Sequence, residues 1–529
     1  MRATIFSTIC LLVILLQSCK TTGKEEAEVE QENNRPNIIY ILADDLGYGE
    51  LGVYGQQKIE TPNIDALAKE GMLFTQHYTS APVCAPARYM LMTGQHSGRA
   101  HIRGNEEWAD RGDVWNYIAM AKDSVLEGQR PMPTNTVTLP IKLKEVGYTT
   151  GMIGKWGLGA PHTHSIPTIM GFDFFYGYNC QRQAHTYYPL HLYKNEKRVH
   201  LANDTIAPHT AFPESADPTD PESYADFNLK DYAPELMFKE LTAFVDRSKD
   251  QPFFLYWATP IPHVAIQAPQ DWVDYYIKKF GEETPFLGGN AKGGGYFPHK
   301  NPRAGYAAMI SYLDENVGKL VTQLKALGVY DNTLIIFTSD NGPSFAGGAD
   351  PQWFNSAQPF EGTYGRGKGF VYEGGIRVPM IASWPDKIAP GTTTDHISVH
   401  YDVMETLAEL TGFEAPDNDG TSFLPTLLSA EDQAEHEFLI WEFPEYGGQL
   451  ALRMGDWKVV RQQLKSDNED ATLELYNLST DPTEQHNIAS AHPEIIQQAA
   501  EIFRREHTNA SIEKFRIKAL DNGLIPTEE

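Results

Sequence analysis

Five stretches of the chain are apolar with no alternation of polar residues: NIIYILA (37–43), YTTGMIG (148–154), PFFLYWA (252–258), NTLIIFTS (332–339) and RVPMIASWP (377–385). Runs of that length, rich in β-branched and aromatic residues, predict strands buried on both faces. Between them the period changes to that of a helix. Across 304–328, Met309, Leu313, Val317, Leu320, Val321 and Leu324 fall on one stripe, and Gly328 supplies the stop. YDVMETLAELTG (401–412) repeats the pattern, and NIDALAKE (63–70) is framed by Thr61 as a cap, Pro62 in the first turn and Gly71 at the end. Helices interleaved with buried strands predict an α/β fold with a mixed, mainly parallel sheet flanked by helices, and place ligands beyond the carboxyl ends of its strands. Past residue 430 the pieces shorten: HEFLIWEFPEYGGQLALRMGDWKVVRQQ (436–463) and ATLELYNLSTDP (471–482) read as strands with turns, and PEIIQQAAEIFRREHT (493–508) as a helix. We therefore divide the chain into a catalytic domain over 36–430 and a smaller C-terminal α+β subdomain over 431–529. The Gly-rich segments 286–300 and 344–369 are long loops of the kind that shape a site.

Charge and cysteine usage narrow the setting. The chain has 529 residues and a formal net charge of -27, which disfavours nucleic acid and anionic membrane as partners, since both are held by exposed Lys and Arg. Residues 1–19, MRATIFSTICLLVILLQSC, carry one early cation and then an apolar run too short to span a bilayer, the pattern of an export signal. Its end, LLQSC, is similar to a bacterial lipoprotein cleavage box that would leave Cys19 as a lipid anchor; Gln17 is unusual there, so simple cleavage and release is the alternative. Residues 20–35 are polar and free of aromatics, as in a flexible tether. The expected location is the periplasm, or the outer membrane as a lipoprotein, of a Gram-negative bacterium. Of four cysteines only Cys84 and Cys180 then remain, and a disulfide between them stays open.

Candidate chemistry collects at predicted strand ends: Asp44 and Asp45, Asp340 and Asn341, and His263 after TPIP. Carboxylates with an amide oxygen are hard ligands, suited to calcium or magnesium rather than zinc. Each alone is also an ordinary strand terminator. Cys84 lies in CAPAR, ahead of a helix expected to start at Pro86 or Ala87, and a thiol at such an N-terminus beside Arg88 is expected to be acidified.

CAPAR followed by TG resembles the C-x-P-x-R signature of the formylglycine-dependent (type I) sulfatases, and five further motifs occur in that family's order: PNIIYILADDLGYGELGVYG, TPNIDALAKEG, GMIGKWGLG, FTSDNG and YEGGIRVP. GDWKVVR and ELYNLSTDPTEQHNIA are similar to the family's usual ending, so the resemblance covers about residues 35–490. It implies an alkaline-phosphatase-like fold and oxidation of Cys84 to formylglycine (3-oxoalanine) by a separate maturation enzyme. It also implies one Ca2+ held by Asp44, Asp45, Asp340, Asn341 and the modified Cys84. Arg88 would hold the nucleophile, Lys155 and Lys368 the sulfate oxygens, and His263 would protonate the leaving group. One position departs. The family's motif is G-K-W-H-L-G, and its histidine, assigned to deprotonating the aldehyde hydrate, is here Gly157. His162, His164 and His185 are open replacements.

CQRQAHTYYP (180–189) adds Arg182 and His185 as candidate sugar contacts, and TGQHSGRAHIRGN (93–105) adds His101 among His96, Arg99, Arg103 and Asn105. The expected activity is hydrolysis of sulfate monoesters on a sulfated polysaccharide or oligosaccharide, either a glycosaminoglycan or an algal glycan such as ulvan or carrageenan. The rivals are a phosphate or phosphonate monoester hydrolase of the same superfamily and a noncatalytic glycan-binding lipoprotein.

Overall fold

Every residue of the strand Asn37–Ala43 is buried. It has a period of two after all, but between two cores: Ile39, Ile41 and Ala43 pack into one apolar cluster, Ile38, Tyr40 and Leu42 into the other. That is why no polar residue alternates in the sequence, and each such side chain gains roughly 1.5–3 kcal/mol from burial. The computed structural model describes residues 35–288, 295–465 and 473–521; the export signal with Cys19, nearly all of the tether and part of the 286–300 loop lie outside them.

The strand is central in a ten-stranded sheet. Phe253–Ala258 and Thr333–Ser339 flank it in parallel, Thr149–Lys155 pairs in parallel beyond the first, and Phe174–Tyr178 in parallel beyond that. The sheet is mixed at its margins. The run RVPMIASWP contributes only Met380–Ser383, antiparallel to Thr333–Ser339 and to Met72–Phe74, and the hairpin His191–Lys194 with Lys197–His200 closes the other side antiparallel.

Helices cover both faces. Pro62–Glu70, Ala233–Ser248 and Pro302–Leu327 pack on one core, and Cys84–Thr93, Leu139–Glu145 and Asp402–Thr411 on the other. The long helix ends as its sequence predicts: Gly328, at φ 70°, turns left-handed and its N–H caps the carbonyls of Leu324 and Lys325.

Strands Leu439–Phe443, Gln449–Met454, Trp457–Arg461 and Glu474–Asn477 form a separate antiparallel sheet. Helix Pro493–Glu506 covers one face through Ala499, Ile502 and Phe503. The other face places Trp441, Phe443 and Val460 against Val83 and Phe370, and Trp441 Nε1 donates to the carbonyl of Thr79 at 2.8 Å. The small sheet thus backs the two segments that carry Cys84 and Lys368. Cys84 and Cys180 are both buried and unpaired, which closes the open question of a disulfide.

Candidate active site

Four adjacent parallel strands finish at one place. Thr333–Ser339 runs into Asp340 and Asn341, Asn37–Ala43 into Asp44 and Asp45, Phe253–Ala258 into the turn bearing His263, and Thr149–Lys155 ends on Lys155 itself. The strand ends are laced together: the Asp340 amide donates to Ala43 O and the Asp44 amide to Ile261 O, both at 3.0 Å, and the Asp45 amide to Asp340 Oδ1 at 3.1 Å. Asp45 sits at φ 70°, a conformation that Asp tolerates better than most residues.

The helix Cys84–Thr93 begins two residues before the earliest expected start, with Cys84 as its first residue and Pro86 in the first turn, where a missing N–H costs nothing. Asn105 Oδ1 accepts from the Ala85 amide at 3.1 Å and fixes that end. Cys84 and Arg88, one turn apart, share a face. Arg88 gives Nε and Nη2 to Asp340 Oδ2 at 3.0 and 2.8 Å and Nη1 to the carbonyl of Lys155. Lys155 Nζ lies 2.6 Å from Asp44 Oδ2, Lys368 Nζ 2.7 Å from Asp45 Oδ2, and Asn341 Nδ2 2.8 Å from Asp45 Oδ1. His263 places Nε2 3.8 Å from Asp45 Oδ2 while Nδ1 is tied to the carbonyl of Val264. All nine predicted catalytic and metal residues are therefore in one buried cluster.

The expected acidic thiol is not found. Cys84 Sγ stands 3.2 Å from Asp44 Oδ1 and 3.9 Å from Asp45 Oδ1, and burial together with Asp340 and Asp44 pushes its pKa well above the ordinary thiol value. Lys155 and Lys368 oppose this and are outweighed. Burial works against ionisation of Asp44 as well, but the cations Lys155 and Arg88 outweigh it and hold that carboxyl far below the usual range. Burial and Lys368 bring His263 down to about 4, a neutral imidazole.

The donor set fits a hard cation. Atoms of Asp44, Asp45, Cys84 and His263 lie within 4.8 Å of one another. Asn341 Oδ1 is buried with no hydrogen-bond partner among the described residues, an acceptor that such an ion would satisfy. Three carboxylates (Asp44, Asp45, Asp340) face three cations (Arg88, Lys155, Lys368), so an added dication and an anionic substrate enter a balanced site.

Above the cluster opens a cavity of about 630 Å³ lined by His263, Lys368, Arg182 and His185. His185 stacks on His263, with ring centroids 5.1 Å apart and planes at 13°, and Arg182 lies over the Trp115 ring at 4.7 Å. The other histidines go elsewhere. His101 bonds Ser511 Oγ, His162 bonds Ser124 Oγ and His164 the carbonyl of Met132, and none of the three lines the cavity. Of the open replacements for the family histidine, His185 alone reaches it. His96, Arg99 and Arg103 are held by Glu506, Asp419 and Glu442, a structural use of that basic run. Sequence reasoning did not single out Trp115 and Tyr364, exposed aromatics on the cavity wall, nor His209, Tyr296 and Gln181. The available signal was aromatics set in otherwise polar loops.

Gly157 is left-handed at φ 74°, and a Cβ there would stand 3.1 Å from Gln181 Oε1. Restoring the motif histidine by Gly157→His is thus expected to cost roughly 1–2 kcal/mol of stability from the backbone alone, measured by urea unfolding, and to bring no gain in activity. A stable and faster variant would contradict this account.

Comparison with known proteins agrees with this geometry. A family model described as Sulfatase matches residues 36–413, and one described as N-sulphoglucosamine sulphohydrolase, C-terminal, matches residues 362–508. The chain is 28% identical over 552 residues to an N-acetylgalactosamine-6-O-sulfatase of Bacteroides thetaiotaomicron, covering 94% of this chain and 97% of that protein. It is 32% identical over 408 residues to the N-acetylgalactosamine-6-sulfatase of Homo sapiens, covering 74% of this chain and 66% of that one. Among solved structures it is similar to Ps i-CgsB in complex with k-i-k-neocarrahexaose, with a TM-score of 0.66, 27% identity and coverage of 90% and 94% of the two chains.

Proposed function

The chain belongs to the sulfatase family, and from that premise we propose that it hydrolyses a sulfate monoester on a carbohydrate, with Cys84 used as formylglycine and one calcium ion in the cluster. Support comes above all from one observation: Cys84, buried and un-ionised, is ringed by Asp44, Asp45, Asp340 and the unpartnered Asn341 Oδ1, with Lys155, Lys368 and Arg88 interleaved. A thiol held neutral among carboxylates is a poor nucleophile, whereas the hydrated aldehyde supplies an oxygen nucleophile and the calcium supplies Lewis acidity toward it.

The chain's own residues do the rest. Asp44, Asp45, Asp340 and Asn341 would hold the ion. Arg88 fixes Asp340 through two contacts that converge on Oδ2, so that carboxylate keeps its place when the site fills. Lys155 and Lys368 meet the non-bridging sulfate oxygens and offset the charge that shifts toward the leaving oxygen. His263, with Nδ1 tied to a carbonyl and Nε2 facing the site, protonates the leaving sugar oxygen once the bound anion favours imidazolium. Trp115 and Tyr364, 59% and 70% exposed on the cavity wall, give apolar faces on which sugar rings rest. The names of the relatives and of the carrageenan-oligosaccharide complex favour carbohydrate over a small aryl ester. Export through residues 1–19, with Cys19 as a lipid anchor, places the activity at the cell envelope in this reading.

The test is ion chromatography of released sulfate and phosphate. The protein, co-expressed with a formylglycine-generating enzyme, is given N-acetylgalactosamine 4- and 6-sulfates, glucosamine 6-sulfate, carrageenan oligosaccharides, 4-nitrophenyl sulfate and 4-nitrophenyl phosphate. Sulfate release from a sugar at least about 100-fold faster, in kcat/KM, than phosphate release is expected. Faster phosphate release would sink the proposal in favour of the phosphohydrolase, and no release of either in favour of the binding protein.

A further inference from the structure

The wall of the cavity formed by the segment after Phe174–Tyr178 contains a polar group with nothing to bind. Gln181 opens the short helical turn Gln181–His185. Its backbone N–H is fixed by Gln129 Oε1 at 3.1 Å, and Gln129 in turn gives Nε2 to Glu107 Oε1 at 2.7 Å. The residue is only 6% exposed, yet its side-chain Oε1 has no hydrogen-bond partner among the described residues. It lines the same cavity as His185, His263 and Lys368. A side chain at 157 would begin 3.1 Å from Oε1, close enough that the amide would have to give way by a few tenths of an ångström. The amide therefore lies beside the position where this chain has glycine in place of the motif's histidine.

We propose that Gln181 reads a hydroxyl group of the sugar that carries the sulfate, its Oε1 accepting the hydroxyl proton as a hydrogen bond; this rests on the carbohydrate reading above. A buried acceptor left unmet is costly, so a ligand that supplies the donor is selected over one that lacks it. The donor is a neutral one. An amide oxygen repels sulfate oxygens, so Oε1 itself does not receive a second sulfate. A hydroxyl is the neutral donor that every sugar offers, whereas an acetamido N–H is present only on some. The amide transfers no proton, so Gln181 acts in recognition and not as a replacement base.

The experiment pairs the residue with the hydroxyl. Wild type, Gln181→Met, which keeps the packing and removes the acceptor, and Gln181→Ala are assayed for sulfate release. The substrates are N-acetylgalactosamine 6-sulfate, or whichever sugar sulfate of the panel wild type cleaves fastest, and its monodeoxy analogues. Wild type is expected to lose about 10- to 100-fold in kcat/KM on one deoxy analogue, and the Met variant to treat that analogue and the parent alike within about twofold. A variant that keeps wild-type discrimination, whether its overall rate falls or not, overturns the proposal, and so does a wild type that ignores every deoxy change. Wild type that cleaves 4-nitrophenyl sulfate but no sugar fails the carbohydrate reading itself, a result distinct from either.

Discussion

Cys84→Ala is expected to lower sulfate release by at least roughly 10⁴-fold, the scale on which removal of a nucleophile is felt, and to leave thermal unfolding nearly unchanged. The side chain is small and buried, and its Sγ contacts are two carboxylate oxygens. Deleting a neutral thiol there removes no ion pair and leaves only a small void. Asp44 keeps Lys155 and Asp45 keeps Lys368, so the cluster that ties four strand ends together survives. Activity and stability therefore separate, which distinguishes loss of the nucleophile from loss of the fold. Peptide mass spectrometry of the segment 81–94 completes the test. An aldehyde at position 84 in active wild-type protein is the expected finding; full activity with an unmodified cysteine, or in the alanine variant, would remove formylglycine from the mechanism.

The site was legible in the sequence to the extent that strands deliver it. Asp44, Asp45, Asp340 and Asn341 follow directly on apolar runs, so the rule that a parallel sheet gathers its carboxyl ends places them together without coordinates. Lys155 is the last residue of its strand and follows the same logic. Lys368 arrives on a loop, and only the resemblance to a family pointed to it. The thiol was misjudged because helix start and basic neighbour were weighed without burial and the nearby carboxylates of Asp340 and Asp44, which decide. His101 illustrates the opposite failure. Nearness in sequence to Cys84 suggested a role, but its imidazole bonds Ser511 in the C-terminal segment. Trp115, His209 and Tyr296 come from three separate loops, and no local pattern announces that such residues meet. Gly157 was visible only as a departure from a motif and Gln181 was not singled out at all; their relation is a matter of 3.1 Å and needs the structure.

Calcium removal is expected to have the second large effect, a loss of roughly 10²- to 10⁴-fold in kcat/KM after treatment with EGTA and gel filtration, restored by Ca2+, since a bound metal is worth several kcal/mol of transition-state charge stabilisation. The structure gives the reason in its charge pattern. Lys155 and Lys368 are paired with Asp44 and Asp45 at 2.6 and 2.7 Å. Those are the same two ammonium groups that the proposed reaction assigns to the sulfate oxygens. Asp44, Asp45 and the Asn341 oxygen would hold the cation, which would compete with both lysines for the carboxylates and so leave their positive charge to the substrate. The same competition predicts a readout independent of turnover. At about 100 times its dissociation constant, Ca2+ should stabilise the folded protein by about 2.7 kcal/mol, and Asn341→Ala or Asp45→Asn should shrink that stabilisation, while Trp115→Ala, on the outer wall of the cavity, should leave it intact. Calorimetric unfolding with and without Ca2+ measures all four proteins. Equal stabilisation of wild type and the two ligand variants would move the ion out of this cluster.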